Sequence, residues 1–229
     1  MSKILFIRNS IIDIFWPNEC TICQCDLTHM ERFYCLTCLH ELPFLERHPS
    51  ALEQIQKILW GRTEVDKIFA LLNFQKNNNT QKILHEIKYH GKSRLAEHMG
   101  QLMSNMIPAN HTIDYIIPIP LHPKKKRKRG YNQSLLLAKG ISQKLNIPIL
   151  NDTVKRISGN ASQTQFSKYD RWQNVRSIFT VKNAEFVENK HLLIVDDVLT
   201  TGATIESCIL ELKRSVNCKI SVATLATRI

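Results

Sequence analysis

The segment from Leu192 to Thr204 constrains the fold more than any other part of this sequence. It reads Leu-Leu-Ile-Val-Asp-Asp-Val-Leu-Thr-Thr-Gly-Ala-Thr. The apolar run at its start is typical of a strand buried on both faces of a parallel sheet, and we expect this strand to end where the two acids begin. An amphipathic helix is predicted next, because apolar residues recur at Ile205, Cys208, Ile209 and Leu212. Strand, turn and helix in this order predict an α/β fold with a ligand site at the carboxyl ends of its strands.

The residues after the predicted strand suit a phosphorylated sugar. Gly202 lets the backbone approach a ligand closely, and the free N–H groups of the helix's first turn favour an anion. Hydroxyl donors are supplied by Thr200, Thr201 and Thr204. The two acids cannot bind phosphate directly, but they suit sugar hydroxyls or a divalent metal carried by the ligand. The alternative is a plain strand and turn in which the acids cap the helix; the Gly-x4-Gly-Lys-Ser/Thr motif of mononucleotide P-loops does not occur.

This segment resembles the phosphoribosyl pyrophosphate (PRPP) signature of type I phosphoribosyltransferases, in register over both acids and the Thr-Thr-Gly turn. The resemblance implies that the paired acids bind the ribose hydroxyls and that the turn binds the 5-phosphate. It also implies a type I phosphoribosyltransferase fold, with magnesium bound together with PRPP. The PRPP-binding residues expected on this basis are Asp196, Asp197, Thr200, Thr201, Gly202, Ala203 and Thr204.

The composition allows one domain of ordinary size with a small appendage. The chain has 229 residues, of which 43% are hydrophobic. No apolar run approaches the length that spans a bilayer, so we expect no membrane span. Residues 4–15 follow helical spacing, but Arg8 and Asp13 interrupt the apolar core that a signal peptide needs, so we expect an N-terminal amphipathic helix. Clustered rather than scattered cysteines favour a reducing, cytoplasmic setting.

Two Cys-x-x-Cys pairs separated by eleven residues lie near the N-terminus. Four thiolates at this spacing can surround one zinc ion, and the short segment between them has too few apolar residues to fold unaided. A site closed by four thiolates is structural rather than catalytic. Cys25, His29 and His40 lie nearby, so a substituted ligand set is possible, and the alternative is a group of reduced structural cysteines. The expected zinc ligands are Cys20, Cys23, Cys35 and Cys38.

A basic run follows the second apolar strand predicted, Tyr115–Ile119. The chain carries a net charge of +11, and the run from Lys124 to Arg129 concentrates much of it. By its position after a strand, we expect this run to form a loop on the ligand side of the sheet, where it can attract pyrophosphate or nucleic acid. The alternative is a solvated charge run without a special role. The candidate pyrophosphate or DNA contacts are Lys124, Lys125, Lys126, Arg127, Lys128, Arg129 and Tyr131.

Taken together, the motifs resemble the ComF/GntX family over nearly the whole chain. They occur in the family's order: Phe15-Trp-Pro17, the cysteine pairs, Pro118–Pro123, Arg129-Gly-Tyr-Asn-Gln133 and the PRPP signature. The resemblance implies a zinc-binding N-terminus joined to a phosphoribosyltransferase-like domain, and a role in natural DNA uptake with DNA-uptake or recombination proteins as partners. We place residues 1–50 in the N-terminal helix and zinc module and residues 51–229 in the transferase-like domain.

One segment departs from the family pattern. Asn160-Ala161 stands where Thr-Pro is expected, although neighbouring positions fit. In active type I enzymes this region supplies a mobile hood that shuts water out of the site. The alternative is an ordinary surface loop. The expected flexible-loop residues are Arg156, Gln163, Arg171 and Asn174.

Other segments predict the remaining elements. Leu52–Leu59 has helical spacing, Lys67–Phe74 is typical of a strand, and two helices are expected over Ile83–Ile87 and Leu95–Met103. Alternation of apolar and polar residues over Ile220–Leu225 predicts a final strand that is half-exposed.

Two functions fit these features. The first is an enzyme that transfers ribose 5-phosphate from PRPP to an acceptor, which no residue pattern here identifies. The second, which the family resemblance favours, is a DNA-transformation protein that keeps a PRPP or nucleotide pocket, while Lys124–Arg129 and Tyr131 contact single-stranded DNA.

Overall fold

A computed structural model describes residues 18–47, 49–157 and 178–229. The expected N-terminal helix and the loop residues Gln163, Arg171 and Asn174 lie outside the described residues. The helices are α1 (Leu36–His40), α2 (Pro49–Leu59), α3 (Asn79–Tyr89), α4 (Ser93–Ser104), α5 (Pro123–Arg129), α6 (Gln133–Leu145) and α7 (Ala203–Ser215), with short 3-10 turns at Leu45–Arg47 and Ala184–Val187. The strands are β1 (Ile68–Asn73), β2 (Tyr115–Pro118), β3 (Val154–Arg156), β4 (Phe179–Val181), β5 (His191–Leu199) and β6 (Lys219–Thr227).

Four strands form a parallel sheet in the order β1-β6-β5-β2. The predicted parallel sheet is therefore confirmed. β3 and β4 pair antiparallel as a separate small sheet. The prediction that the last strand is half-exposed was wrong, because β6 lies between β1 and β5 and is buried at every residue after Lys219. Two of its polar side chains have internal partners instead of water: Ser221 Oγ lies 2.9 Å from His191 Nε2, and Thr227 Oγ1 donates to the Leu199 carbonyl.

Helices cover both faces of the sheet. Alternate residues of β5 point to opposite sides, so Leu193 and Val195 pack with α3, α4 and α6, whereas Leu192 and Ile194 pack with α2 and α7. All four of these β5 residues are fully buried. Continuous burial on both faces explains why this strand has no alternating pattern in the sequence.

Two glycines bring α4 and α6 into backbone contact. A Cβ at Gly100 would lie 2.1 Å from the carbonyl oxygen of Leu137, and one at Gly140 would lie 2.0 Å from that of Glu97. No other residue fits at such separations. This close contact fixes α6, whose first turn lies at the carboxyl end of β5.

The cysteine-rich segment packs against the same core as α3 and α4. Cys20, Ile22 and Cys38 belong to that buried cluster. The Tyr34 hydroxyl lies 2.6 Å from Nε2 of His98, and Lys82 Nζ donates to the Ile22 carbonyl at 3.1 Å. The division at about residue 50 stays a prediction. Among the described residues, no helix combines the length and the apolar character that crossing a bilayer requires.

Candidate functional site

The acid pair lies within a strand rather than after it. β5 was expected to end at Val195, but it continues to Leu199 because Val198 and Leu199 still pair with β6. The other neighbour, β2, ends at Pro118 opposite Val195. Asp196 and Asp197 therefore lie beyond the end of β2, with one side of their strand open, at the carboxyl edge of the sheet where ligands bind in parallel α/β folds.

Each acid is held by one side chain from a neighbouring helix. The Ser134 hydroxyl, in the first turn of α6, donates to Asp196 Oδ1 at 2.9 Å, and the Asp197 N–H donates to the same oxygen at 2.9 Å. Lys88 Nζ, near the end of α3, lies 3.0 Å from Asp197 Oδ2. Within the described part of the chain, Asp196 Oδ2 and Asp197 Oδ1 accept no protein hydrogen bond. One oxygen of each carboxylate is thus left for a ligand hydroxyl.

Burial and a neighbouring charge keep Asp196 close to its protonation midpoint at neutral pH. Removal from water and, after it, the charge of Asp197 raise the pKa of Asp196 from 3.8 to about 7. The Asp197 N–H, the Ser134 hydroxyl and the Lys88 charge oppose this rise without cancelling it. Strong pKa perturbation in a cluster of polar groups is typical of functional sites.

The Thr-Thr-Gly turn connects β5 to α7 as predicted. Gly202 has φ +77°, a left-handed conformation that favours glycine, and α7 begins at the next residue. A Cβ at this position would lie 2.7 Å from Leu59 Cδ2 of α2. Thr204 is half-buried, whereas the other turn residues are exposed, namely Thr200, Thr201 and Ala203. Their donor groups are therefore open to solvent or to an anion.

Arg62, which the sequence analysis did not identify, holds this turn from the opposite side. Its Nη1 donates to the Thr201 carbonyl at 2.6 Å, and its Nη2 forms an ion pair with Glu206 in the first turn of α7. Arg62 and Thr201 are far apart in sequence, and no local pattern could have joined them. The residues after α2 thus fix the position of the predicted phosphate-binding turn.

The basic run forms the helix α5, so the expectation of a loop was wrong. Pro123 is its first residue, and the His122 side chain accepts the Lys124 N–H at 3.2 Å. Gly130, with φ +82°, ends the helix. Cations in the last turn also suit the negative end of the helix dipole. These residues at its two ends stabilise a helix despite the run of like charges, from which the sequence analysis predicted a loop.

The charges of α5 are exposed and uncompensated. Lys124 to Lys128 are exposed, and among residues 18–47, 49–157 and 178–229 no acid forms a salt bridge with them. Like charges four residues apart, such as Lys124 and Lys128, destabilise a helix. A bound polyanion would relieve that repulsion, which makes this helix suited to phosphate-rich ligands.

Two aromatic residues at the end of α5 have different surroundings. Tyr131 is partly buried against the core, its hydroxyl donates to the Ile87 carbonyl, and burial raises its pKa. Tyr89, the last residue of α3, is 54% exposed, and the Arg129 guanidinium lies 5.4 Å from its ring centroid. The exposed ring is thus Tyr89, which the sequence analysis did not select.

A continuous set of contacts joins the acid pair to the basic helix. Arg129 Nη1 donates to Gln133 Oε1 at 3.1 Å, and Gln133 precedes Ser134, the partner of Asp196. On the other side, Arg129 covers Tyr89, whose neighbour Lys88 pairs with Asp197. Gln133 Nε2 is buried without a hydrogen-bond partner in the described residues. Such an orphan donor suits a site that a polar ligand completes.

The four predicted metal ligands are brought together. The sulfur atoms of Cys20, Cys23, Cys35 and Cys38 lie within 4.8 Å of one another. Those of Cys23 and Cys35 are 3.7 Å apart, close to the roughly 3.8 Å edge of a tetrahedron with metal–sulfur bonds of about 2.3 Å. Cys20 Sγ also accepts the N–H groups of Ile22 and Cys35 at 3.4 Å. This donor set fits a metal ion.

Cys25 lies beside this cluster. Its sulfur is 3.2 Å from that of Cys23. Hydrogen bonding from Cys25, first through its backbone, lowers the pKa of Cys23 to about 6, whereas burial raises the pKa of Cys38. A bound cation would keep both thiols deprotonated.

The flexible-loop prediction falls mainly on residues outside those described. Arg156 is described and ends β3, with its guanidinium 5.5 Å from the ring centroid of Phe179 in β4. The two short strands therefore bracket the undescribed stretch, and the hood stays a prediction.

Comparison with known proteins finds similarity mainly in the C-terminal part of this chain. Residues 131–229 match the phosphoribosyl transferase domain family. Competence protein F of Haemophilus influenzae is 42% identical over 92 residues, which are 39% of this chain and 40% of that protein. The chain is similar to competence protein F over these residues. It has the type I phosphoribosyltransferase fold expected from the sequence, with four close cysteines near its N-terminus.

Two further relatives are similar over longer stretches of the chain. The DNA utilization protein YhgH of Shigella flexneri is 31% identical over 129 residues, which are 54% of this chain and 56% of that protein. Competence protein ComFC of Bacillus subtilis is 27% identical over 142 residues, which are 59% of this chain and 55% of that protein. The chain thus spans about half the length of the curated relatives that it matches.

Proposed function

We propose that this chain is a cytoplasmic ComF-like protein of natural transformation that binds PRPP at its acid pair and single-stranded DNA at α5. The observation that carries this proposal is the set of contacts from Asp196 through Ser134, Gln133 and Arg129 to the basic helix. The two proposed binding surfaces are thereby neighbours on the same part of the molecule. The names of the relatives, competence and DNA utilization proteins, support the cellular context.

In the proposed PRPP complex, Asp196 and Asp197 accept hydrogen bonds from the ribose hydroxyls through their free oxygens. The 5-phosphate binds at the N-terminus of α7, where unpaired N–H groups favour an anion. Magnesium, when bound with PRPP, would neutralise part of the pyrophosphate charge. The four residues Thr200, Thr201, Ala203 and Thr204 would surround the 5-phosphate, with Gly202 allowing close approach.

The cysteine cluster is proposed to hold one structural zinc ion. Four sulfur donors and a spacing near that of a tetrahedron favour zinc, and a closed site leaves no position for a substrate. Cys20 and Cys38 are buried in the core that contains α3 and α4. Zinc would therefore stabilise the surface on which α3 presents Lys88 to the acid pair.

A second candidate function is phosphoribosyl transfer to an acceptor. The acid pair and the turn favour it, because a partly buried acid pair destabilises the fold unless a ligand uses it. In that reaction the acids would hold the ribose while the departing pyrophosphate meets Lys and Arg charges. The acceptor stays unassigned.

The two binding sites can be separated by matched variants. Asp196→Asn with Asp197→Asn should weaken magnesium–PRPP binding and leave affinity for a labelled oligothymidylate unchanged. Alanine at Lys124–Lys128 should do the reverse and flatten the salt dependence of DNA binding by roughly 0.7 in slope for each lost phosphate contact. A charge-matched control replaces five exposed lysines elsewhere: Lys57, Lys76, Lys139, Lys144 and Lys182.

Equal loss of DNA binding in the control would refute a specific role for α5. Absence of PRPP binding by the parent protein would refute the proposed PRPP site at the acid pair. Release of pyrophosphate from PRPP, measured with nucleobases and with DNA, distinguishes the enzyme from the binding protein.

A further inference from the structure

We propose that Tyr89, whose ring is in contact with Arg129 and His85, is the surface on which an unpaired base of single-stranded nucleic acid stacks. This inference rests on the proposed DNA-binding function and names the residue that would distinguish single strands from duplex. The ring is 54% exposed at the end of α3. An exposed aromatic ring beside a basic helix provides the two components of single-strand binding, a stacking surface and cations for the backbone.

The ring is fixed in place by its neighbours. The Arg129 guanidinium lies 5.4 Å from the Tyr89 centroid, and the His85 ring lies 4.8 Å from it. Arg129 is itself fixed by its hydrogen bond to Gln133. A ring held in this way loses little freedom when a base stacks on it, which favours binding.

The surrounding charges favour an anion. Arg129 is the last residue of α5, so the phosphates of a strand stacked at Tyr89 would meet the exposed lysines of that helix. The nearest acid of α3, Glu86, already pairs with Lys92 at 3.0 Å and with His90 at 2.7 Å. Its charge is therefore compensated and does not repel the phosphate backbone strongly.

Tyr131 is less suited to this role. Its ring packs against the core and its hydroxyl is committed to the Ile87 carbonyl. Stacking on Tyr131 would require that contact to open. Tyr89 is 54% exposed, so it is the better candidate.

The test compares three variants by fluorescence anisotropy. Tyr89→Leu removes the aromatic face, and Tyr89→Phe keeps it. Trp60→Leu is the matched control: Trp60 is 78% exposed and lines a cavity of about 550 Å³ that also contains Glu53, Glu64 and Asp66. The probes are labelled oligothymidylate, an abasic strand of equal length, and a duplex. Thermal melting verifies that each variant is folded.

We expect the parent protein to bind oligothymidylate more tightly than the abasic strand. Tyr89→Leu should lose this preference, weakening oligothymidylate binding on the order of tenfold while its salt slope stays unchanged. Tyr89→Phe and Trp60→Leu should bind like the parent. Photocrosslinking of the parent to an iodouracil strand should modify Tyr89, a measurement that needs no variant.

Three results would overturn the inference. Equal binding by Tyr89→Leu and the parent, or a crosslink that maps away from Tyr89, removes the stacking surface but leaves DNA binding at α5 intact. A preference of the parent for duplex has the same effect. Failure of the parent to bind any of the three probes refutes the DNA-binding function itself.

Discussion

Nζ of Lys88 lies 3.0 Å from Oδ2 of Asp197, which ties the end of α3 to the carboxyl edge of the sheet. Both side chains are mostly shielded, with 21% and 17% of their surfaces exposed. An ion pair in such a place is stronger than one at the surface, and removing one partner leaves an uncompensated charge. The pair therefore compensates half of the acid cluster before any ligand arrives.

Replacing Lys88 with methionine should weaken PRPP binding. The acids would then repel the pyrophosphate more strongly, and we expect roughly tenfold lower affinity by calorimetry. The pKa of Asp196 should rise further, because the Lys88 charge lowers it in the parent. Lys92→Met is the control, since Lys92 pairs with Glu86 and not with the acid pair; equal losses in both variants would contradict a specific role for Lys88.

Asp196 should make stability depend on pH in a direction opposite to that of most acids. Its pKa is about 7 in the folded protein, against 3.8 as the ordinary value, so the folded state keeps a proton that the unfolded chain has lost. This contribution is complete below about pH 4 and is lost as pH rises through 7. Asp196→Asn keeps an oxygen acceptor but does not titrate. Its free energy of unfolding, relative to that of the parent, should therefore rise by roughly 1 to 4 kcal/mol as the pH is raised from about 4 to about 8.

Urea unfolding at several pH values measures this difference. A constant gap between the variant and the parent would contradict the raised pKa. The same variant should bind PRPP more weakly at pH 8, because a carboxylate accepts ribose hydroxyls better than an amide. Higher stability together with lower affinity would mark Asp196 as a residue kept for binding.

Chelation should destabilise the cysteine-rich segment. Purified protein should contain about one zinc per chain, and strong chelators should lower the melting temperature, because Cys20 and Cys38 belong to the core that packs on α3 and α4. Cys35→Ser should lose the metal. Cys25→Ser should keep it, and metal loss in that variant would show that the ligand set differs from the four cysteines.

Alanine at Gly202 should distort the turn proposed to bind phosphate. The positive φ alone costs about 1 kcal/mol for an L-residue, and the Cβ would lie 2.7 Å from Leu59 Cδ2. We expect a total loss of about 2 to 4 kcal/mol in unfolding free energy and weaker PRPP binding. Gly61→Ala isolates the backbone contribution, since Gly61 has φ +72° with no atom within 4 Å of its Cβ position. Similar losses in the two variants would refute the contact with Leu59.

Local patterns predicted the centre of the site but not its supports. The run Leu192–Val195, the acids and the Thr-Thr-Gly turn form one contiguous segment, so their order as strand, acids and turn could be predicted without knowledge of tertiary contacts. Ser134, Lys88 and Arg62 act through partners distant in sequence, which no periodicity could reveal. Their roles become visible only in the tertiary structure, which brings their elements next to the acids and the turn.

Two errors have identifiable causes. The six cations after Pro123 were interpreted as a loop because charge outweighed the end signals, although proline at the start and glycine at the end favour a helix. The last strand was expected to be half-exposed because its polar residues alternate with apolar ones. Small hydroxyl side chains can be buried when they have an internal hydrogen-bond partner, as Ser221 has in the His191 imidazole and Thr227 in the Leu199 carbonyl.

The central position of β6 affects how the protein is made on the ribosome. Ile68 in β1 pairs with Val222, about 150 residues further along the chain, and contacts of such long range form late. β1 is therefore synthesised early and stays without its pairing partner, β6, during most of translation. The acid pair on β5 gains its full shape only after β6 inserts, so a nascent chain interrupted before that point has no competent binding edge and exposes an unpaired strand to aggregation.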